Sequence, residues 1–165
     1  MEECNDLSQS DKPKKISART NSRLYTIQAL YQMLNRGQPA EQVLASFVKH
    51  PDVRLSDEIS TNVLQIDMFQ WLFTKTVEHM GDIDHAIEKH LMSEWSMDRL
   101  DTVLLCILRA GVCEIMYSDL SIAIIIDEYV DITKSFASFD GKRLVHGILH
   151  NVAVSVRQQS VASNP

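Results

Sequence analysis

The chain has 165 residues, 45% of them hydrophobic and 23% charged, and its 16 basic and 22 acidic side chains give a net charge of -6. That is enough apolar material for one core, and the acidic balance argues against a protein that coats polyanions with its whole surface. An odd number of cysteines (Cys4, Cys106, Cys113) without CxxC spacing argues against a disulfide framework and a cysteine zinc site, and no run of eighteen apolar residues suggests a membrane span.

The start, "MEECNDLSQSDKPKK", is acidic where a signal peptide is basic and has no apolar stretch, so a cytoplasmic protein is expected. Residues 1–16, polar and broken by Pro13, read as a disordered extension. Positive charge is concentrated just there: Lys12, Lys14, Lys15, Arg19 and Arg23 lie within "KPKKISARTNSR", which holds no acid.

Order is predicted from Ser17. Leu24, Ile27, Leu30, Tyr31 and Leu34 recur at spacings of three and four, the signature of an amphipathic helix, and Gly37 is placed to cap it. "PAEQVLASFVKHP" follows as a short helix opened by Pro39 and closed by Pro51. Ser56 before Asp57 and Glu58 suggests a helix start, with Ile59, Val63, Ile66, Phe69, Leu72, Phe73 and Val77 carrying a third helix to about Met80, where Gly81-Asp82 ends it. A fourth, short helix takes in Ile83, Ala86, Ile87 and Leu91.

From Leu100 to Ile115 apolar residues occupy most sides of the helical wheel, which predicts a central helix, and Gly111 within it marks a close approach by another backbone. "IAIII" has strand composition, but Ile126, Val130, Thr133 and Phe136 continue a helical stripe. A last helix after "FDGK" turns Leu144, Val145, Ile148, Leu149 and Val152 inward, and residues 158–165 should fray. The expectation is an all-α bundle of about seven helices in two helical subdomains, with residues 17–157 as its ordered domain.

Catalytic signals are weak. His146 and His150 stand at i, i+4 but opposite the apolar stripe and without a third ligand, so no metal is expected, and His85 and His90 share no face. Asp82 and Asp84 fit a helix start, whereas Glu128, set in an apolar run, needs a partner, and Arg109 is the candidate for a structural ion pair. Nucleophile elbows and phosphate-binding loops are missing, and the reading is of a non-enzyme without cofactor. Cations at the start of a helix oppose its dipole, so Arg19 and Arg23 make most sense facing a polyanion, with Ser17, Thr20, Asn21 and Ser22 adding hydrogen bonds.

"SARTNSRLYTIQALYQML", "MDRLDTVLLCILRAGVCEI", "IDEYVDITKSF" and "DGKRLVHGILHNVA" together resemble the NusB family of bacterial transcription antitermination factors, over residues 17 to about 157. That resemblance implies an all-helical, non-catalytic protein that binds boxA RNA, a single-stranded element of ribosomal RNA leader transcripts. It implies as partners NusE, a small-subunit ribosomal protein, and the RNA polymerase antitermination complex. Carried over by position, RNA contacts fall on Lys14, Lys15, Arg19, Arg23 and Tyr31, and on Asp140, Lys142 and Arg143 before the last helix. Family members often carry further arginines where this chain has Thr20, Asn21 and Ser22, and His146 and His150 replace an asparagine and an aspartate. Two or three phosphate contacts give a salt slope near about -2, a weak and assisted binder. On this reading, alanine at both Arg19 and Arg23 weakens RNA binding several-fold and leaves thermal stability unchanged. Tyr31 fits a base-stacking role and the apolar stripe equally well, and an apolar helix face would serve a homodimer as well as NusE. Rival readings are the recognition module of a ribosomal RNA methyltransferase, for which 165 residues leave no catalytic domain, a metal-dependent hydrolase using Asp127, Glu128 and the histidines, and an interaction adaptor.

Overall fold

The computed structural model describes residues 16–49 and 64–162. Within them lie α1 (Ala18–Arg36), α2 (Ala40–Lys49), α3 (Ile66–Glu78), α4 (Met80–His90), α5 (Thr102–Tyr117), α6 (Ile122–Lys134) and α7 (Phe139–Ala162), with a 3-10 turn at Met97–Arg99. No strand occurs among the described residues. Lys14, Lys15, Cys4, the proposed cap at Ser56 and the helix start at Ile59 and Val63 lie outside them.

Helix α1 starts because the Ser17 side chain accepts the Thr20 N–H, and it stops at Gly37, whose φ of 60° is a left-handed cap that a side chain would resist. Asp101 performs the same task for α5, accepting from the N–H groups of Val103 and Leu104. The break between α3 and α4 falls at His79, two residues before the expected Gly81, which instead sits in the first turn of α4. "IAIII" is helical, as the period of its continuation predicted: Ile125, Ile126, Tyr129, Ile132 and Thr133 face inward. Helix α7 runs on to Ala162, past the fraying expected after residue 157, because no glycine or proline interrupts "RQQSVA".

The apolar α5 is the axis of the molecule, packed against α1, α3, α4, α6 and α7. Ten consecutive residues, Cys106 to Ile115, are buried in it. Burial pushes the Cys113 thiol up to about 11, as expected for a small core side chain. Gly111 is a contact point, but with side chains rather than backbone: a Cβ there would lie 3.0 Å from Leu149 Cδ2 and 3.3 Å from Tyr129 Cγ. The missing methyl lets α6 and α7 close on α5.

Candidate nucleic-acid interface

The basic start of α1 divides into an exposed part and a buried part. Arg19 is exposed, whereas Arg23 is 1% exposed and cannot meet a phosphate, contrary to the sequence expectation. Its Nε and Nη2 donate to the two carboxylate oxygens of Glu114 at 2.8 and 2.9 Å, a bidentate fork, and its Nη1 lies 3.3 Å from Glu128 Oε2. The Tyr129 hydroxyl donates a short hydrogen bond to the same Glu114 carboxylate. Loss of hydration opposes the charge on Arg23, but the hydrogen bond and charge of Glu114 outweigh it and the guanidinium pKa is raised. Burial, then the Glu114 charge, holds the Tyr129 hydroxyl protonated far into the alkaline range.

This network joins α1, α5 and α6, and it overturns the expected Arg109–Glu128 pair. Glu128 accepts the Thr20 hydroxyl at 2.7 Å as well as Arg23, while Arg109 makes its own fork with Asp84, at 2.8 and 2.9 Å. The reason is placement: Arg109 lies on the side of α5 that meets α4, so Asp84, read as a helix-start acid, is within reach and Glu128 is not. Hydrogen-bonding groups between the arginines are also structural. Ser22 is buried and lies 2.9 Å from the carbonyl of Gln65, tying α1 to the start of α3, and Asn21 is 3% exposed.

Tyr31 is 40% exposed, but it stands about 18 Å along the helix axis from Arg19. It lines a groove of about 680 Å³ with Leu24, Ile27, Phe47, Val103 and Phe136, away from the basic start. At the beginning of α7, Asp140 and Arg143 are exposed and Lys142 is half-buried. Phe139, which the sequence reading passed over, is 70% exposed, with the Arg143 guanidinium 5.9 Å from its ring centre. An apolar side chain directly before "DGKR" was the available signal. Gly141 permits this start, since a Cβ there would come within 2.8 Å of Ala137 Cβ.

Between the two basic starts runs α6. Its Glu128, Asp131 and Lys134 border a hollow of about 550 Å³ beside Ser17 and Thr20, and its Val130 borders a smaller one of about 250 Å³ beside Phe139 and Arg143. The starts of α1 and α7, which carry Arg19 and the Lys142–Arg143 pair, therefore flank a single helix. That arrangement suits an extended anion better than a compact one. Among the described residues no group of three histidine, cysteine or carboxylate side chains could hold a metal ion, and no helix is long and apolar enough to cross a membrane. His146 and His150 face outward, their rings parallel to within 3° and 6.2 Å apart.

Comparison with known proteins fits this architecture. The NusB family model matches residues 20–154. The transcription antitermination protein NusB of Bartonella henselae is 35% identical over 149 residues, covering 88% of this chain and 92% of that one. The NusB of Mesorhizobium japonicum is 37% identical over 140 residues, covering 82% and 88%. A crystal structure of the antitermination factors NusB and NusE in complex with double-stranded RNA superposes with a TM-score of 0.68 at 25% identity, over 84% of this chain and 97% of that one. The chain belongs to the NusB family of transcription antitermination proteins.

Proposed function

We propose that this chain is a non-enzymatic antitermination factor of the cytoplasm that binds boxA RNA of ribosomal RNA operons together with NusE. The pair would then join the RNA polymerase antitermination complex. The observation that carries the reading is the placement of the exposed cations: Arg19 stands at the start of α1 and Lys142 and Arg143 at that of α7, and both helix starts border α6 through Ser17 and Thr20 on one side and Phe139 and Arg143 on the other. Their three charges are few, so RNA held by the chain alone should be lost quickly as salt rises, with a slope of about -0.7 per phosphate neutralised. A protein partner that supplies further contacts turns a weak contact into a stable complex. Membership of the family supports this division of labour, because a solved NusB relative is paired with NusE and RNA.

The rival hydrolase reading loses one of its two acids, since Glu128 is engaged by Arg23 and Thr20. The test is a fluorescence anisotropy titration of labelled boxA RNA with the chain, with NusE, and with both. Tighter binding by the pair than by either protein is the expected result. Identical affinity with and without NusE would overturn the reading.

A further inference from the structure

Helix α7 carries a second feature beyond its basic start. Phe139, Arg143, His146 and His150 follow one another at spacings of four, three and four, so they form one stripe about 16 Å long on a single face. All four are exposed. Phe139 is 70% exposed, and the Arg143 guanidinium lies over its ring at 5.9 Å. The His146 and His150 rings are parallel, 6.2 Å apart. The hollow of about 250 Å³ at the Phe139 end is lined by Val130, Lys142, Arg143 and His146, with no carboxylate among them.

An apolar side chain this exposed costs solvation, and neither the fold nor the cap of α7 requires it. Three flat rings and a planar guanidinium along one face, flanked by a lysine, are the groups on which unstacked bases settle while cations hold the backbone. Only one of the four side chains is apolar and none is a carboxylate, a balance that suits a polyanion with flat bases better than an apolar protein face. We propose that the outward stripe Phe139–Arg143–His146–His150 of α7 is a base-stacking track for single-stranded RNA, with Phe139 its principal platform. This rests on the RNA-binding reading above and adds to it a role for Phe139, which contributes no phosphate charge.

The experiment compares the full chain with its Phe139→Ala and Phe139→Trp variants, each with NusE, on labelled boxA RNA over a range of salt. Because Phe139 is so exposed, both variants should keep the far-UV circular dichroism and unfolding midpoint of the parent chain. Phe139→Ala should bind between about fivefold and about a hundredfold more weakly, the range for losing one stacked base, with the salt slope unchanged because no charge is lost. Phe139→Trp should restore binding, and 2-aminopurine placed in the RNA should lose its stacking-dependent quenching only with Phe139→Ala. Equal affinity of Phe139→Ala and the parent overturns the track. So does loss of NusE binding at unchanged RNA affinity, which would make the stripe a protein contact. Failure of the parent chain itself to bind RNA overturns the functional reading, and the track with it.

Discussion

One helical turn separates Arg19, exposed at the start of α1, from Arg23, which is 1% exposed and whose guanidinium is gripped by Glu114. The two residues are chemically identical and face different solvents. Around Arg19 water and salt screen the charge, so its contribution to folding is small and its availability to a ligand is high. Around Arg23 the dielectric is low, every lone pair and N–H near it must be matched, and the charge belongs to the fold. The same contrast separates the exposed start of α7 from the interior of α5. Charge at this surface stays open to a ligand, whereas charge in the interior is committed to the fold.

Replacing Glu114 by alanine strands Arg23 without its partner and should cost about 3 to 5 kcal/mol, the largest effect in this set, measured by urea unfolding. A loss under about 1 kcal/mol would break the comparison. The Arg109–Asp84 pair is an intermediate case, because the Asp84 side chain is 28% exposed. Arg109→Ala should cost about 1 to 3 kcal/mol in the same assay. Lys134 and Asp131 form an equally short pair, 2.9 Å, but both side chains are more than half exposed. Lys134→Ala should therefore change stability by less than about 0.5 kcal/mol, and a larger loss would show that distance rather than burial sets the scale. The smallest effect concerns His90, whose pKa burial, then the Lys89 charge, lowers below the usual histidine value. The unfolded chain then binds more protons than the native one in mildly acidic solution, so stability should fall slightly from about pH 7 to about pH 5. His90→Asn should flatten that part of the profile.

Most of the helices were legible in the residues, since the three-and-four spacing of Leu24, Ile27 and Leu30, the Gly37 cap and the all-round apolar α5 are local signals. The partners of the buried charges were not. Glu114 and Glu128 both sit in apolar helices, and periodicity does not say that Arg23 from α1 reaches one and Arg109 turns away from the other toward Asp84 on α4. That choice is made by tertiary packing, through the angle at which α1 and α4 cross α5. The double replacement of Arg19 and Arg23, which the charge pattern alone treats as neutral for stability, is for this reason expected to unfold the protein more easily. Phe139 was missed because a single aromatic residue near a turn carries no periodic signal, and its exposure emerges only when α7 is seen to begin there.

The most direct measurement is the salt dependence of boxA RNA binding by the chain carrying Arg19→Ala, Lys142→Ala and Arg143→Ala together, in the presence of NusE. The three side chains are exposed or half-buried and belong to no buried pair, so the unfolding free energy should stay within about 0.5 kcal/mol of the parent chain. The slope of log affinity against log salt should become less negative by about 2, because about three phosphate contacts are lost at about 0.7 each. An unchanged slope with a stably folded variant would contradict the account, since the RNA would then be held by charges elsewhere on the molecule.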